Sequence, residues 1–252
     1  MPLGTLGMLG DFDAMDPLDI NLSSVSAFSL YAISAARKYV ELVEAQISQA
    51  HTEMRSAALE TYRNIADPDE TDYDSYVGIV NRNFEQDYRP ILRFTEIIYL
   101  YMVFETYTCR HVAEIQALRN DTPDILKRLK SKHECGFVEA AQIYFQNHVG
   151  WPLLDDDSWA ALCEVAEVRN CIVHNAGVAR DRNHSELIDN IESRKWRDQS
   201  VGIEIDRYQG KDVGQPIIVH QRFLEYFLYL LDKFFNALVD ATHAGFRNEK
   251  IA

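Results

Sequence analysis

The chain has 252 residues, 47% of them hydrophobic and 11% aromatic, with a net charge of −14. That apolar content excludes wholesale disorder, and the length suffices for one large domain or two small ones with a substantial core. With 39 acidic against 25 basic residues a uniformly basic surface is excluded, so a polyanion could be met only by a local cluster of cations.

Residues 1–22 mix glycine, proline, aspartate and scattered apolar side chains without a period, and are expected to form a flexible arm ahead of a single helical domain over 23–246. Ser23 or Ser24 is placed to cap a first helix reaching about Ile65, with Val25, Phe28, Tyr31, Ala32, Ala35, Tyr39 and Leu42 as its apolar positions. Asp67 to Asp72 reads as a turn or acidic loop. A second long helix is predicted from Tyr88-Arg89-Pro90 to about Leu118. Its segment from Ile97 to Cys109 is apolar almost all round, which predicts the central helix of a bundle. Glu105 is the one charged side chain in that segment; it either pairs with a cation on a packed helix, Arg169 being the simplest choice, or faces water on a polar stripe with Tyr101 and Thr108.

A short helix follows Asp121-Thr122-Pro123, and another spans Cys135 to Val149, ended by Gly150-Trp151-Pro152. Asp155, Asp156, Asp157 and Ser158 then supply acids and a cap for the next helix. Three adjacent aspartates could suggest magnesium, but neighbouring side chains diverge, and capping is the better reading. After this helix come an irregular polar stretch, a β-hairpin between Val201 and Val219, and a strongly apolar closing helix from Phe223 to Leu238. The fold expected is all-α: a bundle of long antiparallel helices with a small β-hairpin before the C-terminal helix. Cys109, Cys135, Cys163 and Cys171 show no paired C-x-x-C spacing and read as reduced, buried thiols, so neither metal nor cofactor is expected. No run of 18 apolar residues occurs, and Met1-Pro2-Leu3-Gly4 lacks the basic region of a secretion signal; a cytoplasmic protein without a membrane partner is expected.

The run from Val168 to Gly177 holds an arginine, an amide and a histidine at the end of an otherwise apolar helix. Gly177 is placed to take the left-handed conformation that stops it. At about 100° per residue, Leu162, Val165, Ala166, Val168, Ile172, Val173 and Ala176 share one broad face, and Arg169 falls near its middle. A guanidinium cannot shed its charge, so it requires a protein carboxylate or a ligand anion there. Asn170 and His174, four apart, share the flank beside it.

Arg169-Asn170, three residues, then His174-Asn175-x-Gly177 resembles the HEPN superfamily, whose ribonucleases carry Arg-x(4–6)-His near the end of a late helix. The order of elements from about residue 25 to 242 is similar to that of the stand-alone HEPN nucleases. The resemblance implies a homodimer in which two copies of the motif form one metal-independent RNA-cleaving site, with Arg169, His174 and Asn170 as catalytic residues. Glu105 and Asn175 would support the site, and Arg180 and Arg182 would contact RNA. HEPN proteins paired with a nucleotidyltransferase often have tyrosine two residues after the histidine, where this chain has Ala176. The family setting implies a toxin or antiphage effector, with an antitoxin or defence-system protein as a further partner. Two other readings stay open: a non-catalytic dimerisation or protein-interaction module, with His174 merely favouring the negative end of its helix, and a domain binding a nucleotide or other phosphorylated ligand through Arg169.

Overall fold

The computed structural model describes residues 17–64, 73–193, 202–206 and 214–249. Helix α1, Pro17–Asn64, begins upstream of the expected serine cap, so the last residues of the expected arm belong to it. Proline suits a first helical position, where its missing N–H is one the helix cannot use. The face α1 buries is only in part the expected one, Ala32 being buried and Tyr39 packed against the core. Ser26, Ser29, Ile33, Ala36, Val40 and Ile47 point inward, while Phe28, Tyr31 and Leu42 are exposed. The small inward side chains let neighbouring helices approach closely, and bulk is left outside.

Helix α2, Tyr73–Asn83, passes through one π-helical turn, Phe84–Tyr88, into α3, Arg89–Arg119, close to the predicted second helix. The expected acidic loop at 67–72 lies outside the described residues. Next come α4, Ile125–His133, and α5, Phe137–Ile143, which runs on as a π-helical turn to Val149. Helix α6, Asp156–Asn175, is capped by Asp155: Oδ1 accepts the Ser158 backbone N–H at 2.8 Å, and Oδ2 accepts from Lys233 Nζ at 2.5 Å. The aspartate run is thus used for capping and for an ion pair to the last helix.

The stretch expected to be irregular forms α7, Asp181–Ser193, because Leu187, Ile188 and Ile191 give even this polar segment a buried helical edge. Strands β2, Ile203–Ile205, and β3, Gln215–Val219, pair antiparallel as the expected hairpin, Ile203 opposite Val219. An unanticipated strand β1, Val178–Ala179, pairs with the other side of β3. Two residues are too short to display an alternating pattern.

The last helix, α8, Gln221–Glu249, holds the centre: Phe223, Phe227, Phe234 and Phe235 are fully buried, and Phe104 of α3 meets Phe234 edge-on at 5.2 Å. The described fold is an all-α bundle with a small antiparallel sheet. The segment Ile97 to Cys109 of α3, expected to be the centre of the bundle, is buried on one side only, and so is the turn before it. Ile97, Leu100 and Phe104 face the core, but Ile91 is 61% exposed and Met102 53%. Of the cysteines only Cys171 is buried; Cys109 is exposed and Cys135 and Cys163 are half-buried, all four free.

Candidate functional site at the end of α6

Helix α6 ends on two successive left-handed residues, Ala176 at φ 51° and Gly177 at φ 75°. The expected glycine stop is therefore shared with an alanine, and both backbone N–H groups turn back to the Cys171 carbonyl. Gly177 is required for a second reason. A Cβ there would lie 2.4 Å from two ring atoms of Phe94, so this end of α6 is pressed against α3. Eight residues back along α6, Arg169 lies over the ring of Tyr101, seven residues on along α3, at 5.2 Å from its centroid. The two helices run antiparallel, which carries the motif along the flank of α3.

Arg169 is half-buried. Its Nη1 donates to Asn170 Oδ1 at 2.9 Å, which draws the guanidinium toward the flank that Asn170 shares with His174. Its Nε is buried without a hydrogen-bond partner. The expected pairing with Glu105 is not made: Glu105 is half-buried beside Tyr101, and the guanidinium takes the ring instead. Burial above all, with Glu105 second and Arg169 opposing, holds the Tyr101 phenol above its ordinary range, so the platform stays neutral. No carboxylate among the described residues neutralises Arg169. Of the two partners expected for it, the protein carboxylate is absent there.

His174 and Asn170 are exposed. His174 has no hydrogen bond or ion pair among the described residues, so both ring nitrogens are open to a ligand. Asn175 is half-buried and faces inward, its amide 3.2 Å from His184 Nε2. The Arg180 backbone N–H donates to His184 Nδ1 at 3.2 Å, which leaves the proton of a neutral ring on Nε2; the atom facing it is Asn175 Nδ2, and the amide turned over about its Cγ offers Oδ1 as the acceptor. His184 thus ties the segment after the motif to the helix end, and α7 is interrupted there at φ −135°. Arg180 is exposed just past β1; the side chain of Arg182 and the basic run 194–197 lie outside the described residues. Cys171 is no nucleophile, since burial pushes its thiol up to about 11.

Beside the motif, α3 presents an outward row of Ile91, Leu92, Thr95, Ile98, Met102, Thr106 and Cys109 without a charge, and Val173, next to His174, is 43% exposed. A helix that faced only water would carry charged or strongly polar groups on this side.

A second arginine on α3 is treated differently. Arg93 is buried and binds Glu44 of α1 through Nε at 2.7 Å and Nη2 at 3.0 Å, and gives Nη1 to the Val219 carbonyl of β3 at 3.0 Å. Glu96, fully buried one turn on, has neither carboxylate oxygen hydrogen-bonded. Burial first and the Glu44 charge second push its carboxyl up to about 8 against the pull of Arg93.

Comparison of this chain with family models, curated proteins and solved structures gives no match.

Proposed function

We propose that this protein is a metal-independent endoribonuclease of HEPN type, acting in the cytoplasm as a homodimer and serving as a toxin or antiphage effector. The observation that carries the reading is Arg169: a half-buried guanidinium stacked on Tyr101, oriented by Asn170 and, among the described residues, left without a carboxylate, five residues before an exposed His174 that has no partner among them. A cation so held favours an anion from outside, and the fork of a guanidinium fits two phosphate oxygens. The uncharged row on α3 supports pairing of two copies beside the motif, which would bring two arginines and two histidines to one cleft.

The reaction is transesterification. An imidazole takes the proton of a ribose 2′-hydroxyl as its oxygen bonds to the adjacent phosphorus; the bond from phosphorus to the 5′-oxygen breaks, and a second imidazole protonates that oxygen, leaving a 2′,3′-cyclic phosphate. Histidine as a residue type titrates near neutrality and serves in either direction. Arg169 gains strength as negative charge builds on the phosphorane, and the Asn170 Nδ2 is placed to donate to the same oxygens. Glu105 acts only through Tyr101, and Asn175 through His184. With acid, base and charge all supplied by side chains, the cleavage proceeds in EDTA. Purified protein incubated with cellular RNA in EDTA is expected to cut it at least 100-fold faster than the His174→Ala variant. Equal rates would overturn the reading.

One observation favours a second reading, a phosphate-binding module without catalysis: nothing among the described residues orients His174. It predicts a thermal shift with nucleotides that Arg169→Ala abolishes and His174→Ala retains.

A further inference from the structure

Helix α4 carries Lys127, Arg128, Lys130 and Lys132, followed by His133, all exposed, while its inner edge, Leu126 and Leu129, is buried. None of these cations forms an ion pair among the described residues, although acids outnumber bases by 39 to 25 in the chain. The carboxylates nearest in sequence, Asp124 and Glu134, sit at the two ends of the helix, are exposed and pair with none of them. The negative end of the helix dipole accounts for Lys130, Lys132 and His133 in the last turn. It does not account for Lys127 and Arg128, which lie in the first turns, where the dipole disfavours cations.

The position of α4 is as telling as its charge. It packs on α5, which packs on α6, and α6 carries the motif. Burial and then Glu105 hold the Cys109 thiol up, and burial and then Glu139 that of Cys135, with Lys130 opposing in both, which places Lys130 beside the far end of the α3 row. Cys109 lies eight residues beyond Tyr101, about 12 Å along α3, so the cations extend the flank that holds Arg169.

We propose that the outer face of α4 binds the phosphate backbone of an RNA strand that continues from the Arg169–His174 site; this rests on the nuclease reading for the strand's other end. The occupant is a phosphodiester polyanion. The face offers point charges without an exposed apolar anchor, which suits counterion release from a backbone better than the hot-spot packing of a protein or the insertion of a membrane-bound helix. It also answers the net charge of −14, because a short, unneutralised basic segment gives RNA a landing place that the acidic remainder of the surface does not.

The test uses the full chain bearing His174→Ala, so that RNA stays intact, and a fluorescein-labelled single-stranded RNA of about 20 nucleotides, followed by anisotropy between about 50 and 200 mM salt. Replacing Lys127, Arg128, Lys130 and Lys132 together by glutamine is expected to weaken binding at least tenfold at the lower salt. The slope of log K against log salt should become shallower by up to about 2.8, about 0.7 for each charge removed. Lys127→Arg, Lys130→Arg and Lys132→Arg together should keep the original slope, which separates charge from folding. In the catalytic background the glutamine variant should raise KM for long RNA and leave cleavage of a dinucleotide unchanged. If the wild type cleaves nothing yet the slope falls, the RNA surface stands and the nuclease reading fails. An unchanged slope and affinity overturns the proposal, as does loss of self-association in sedimentation with RNA binding intact.

Discussion

Two arginines on adjoining helices meet their charge in opposite ways. Arg93 is buried with a bidentate carboxylate and a backbone carbonyl, so every direction of its fork is used inside one chain and it joins α1, α3 and β3. Arg169 is only half-buried, with an aromatic face on one side, an amide on the other and no carboxylate among the described residues. A guanidinium placed for stability is closed by the fold around it, whereas one placed for a ligand is oriented by neutral groups that leave its charge unspent. The same difference separates the outward faces of two helices. The outward side of α8 carries Gln221, Arg222, Glu225, Asn236 and Asp240 with a single exposed aromatic, Tyr229, while none of the exposed residues of α3 from Ile91 to Cys109 is charged, Glu105 at the edge of the row being half-buried.

The sharpest way to break the comparison is to remove each arginine in turn. Arg93→Ala strands the Glu44 and Glu96 carboxyls in the core and should cost about 3–5 kcal/mol in urea denaturation. Arg169→Ala should cost within about 1 kcal/mol and abolish phosphate-dependent function. Equal losses of stability would mean that both arginines serve the fold.

The next largest effect concerns pH. Glu96 keeps its proton in the folded protein up to about 8, against 4.5 ordinarily, so between these values the folded state holds a proton that the unfolded chain releases. Stability therefore falls as pH rises from 4.5 to 8. His111, fully buried and lowered by desolvation from 6.5 to about 4, works in the opposite sense: unfolding takes up a proton, and stability falls as pH drops from 6.5 to 4. The two slopes oppose each other between 4.5 and 6.5, so thermal melting should show a plateau there with stability falling above about 6.5 and below about 4.5, and Glu96→Gln should flatten the alkaline fall. An alkaline limb unaltered by that substitution would place its origin elsewhere.

Gly177→Ala combines a left-handed φ with a Cβ directed at Phe94 and should destabilise by about 1–3 kcal/mol, measured by denaturation. Smallest in stability, within about 0.5 kcal/mol, are Ile98→Asp and Met102→Asp on the outer row of α3. They should nevertheless convert a dimer to monomers in light scattering and abolish cleavage. A monomeric wild type would remove the row's role.

Long elements were legible in the sequence, because periodicity over many turns is hard to imitate: α3, α6 and the hairpin fall close to where their patterns placed them, and α8 starts where expected but runs eleven residues past Leu238, where the apolar pattern thins. Short or interrupted elements were not, since β1 spans two residues and α7 shows its apolar edge in only three. The buried face of α1 was misread in part because the serines at 26 and 29 and the alanine at 36 signal little in a hydrophobicity count, although close helix approach selects them. At the site, the motif spacing brought Arg169, Asn170 and His174 to notice, and the need of Arg169 for a partner followed from its charge. That Tyr101 rather than Glu105 meets it depends on which side of α3 faces α6, a tertiary fact. His184 carried no spacing signal, whereas the cations of α4 form a Lys-Arg-x-Lys-x-Lys-His run on one short helix and were open to detection.

The most direct measurement is the chemistry of the ends that the wild-type protein leaves on a defined RNA in EDTA. Products should carry 2′,3′-cyclic phosphate, should not form where the scissile ribose is 2′-deoxy, and should disappear in Arg169→Ala and His174→Ala proteins that melt as the wild type does. Cleavage that persists in those variants, or that proceeds at a 2′-deoxy position, would contradict a site built from this guanidinium and this imidazole.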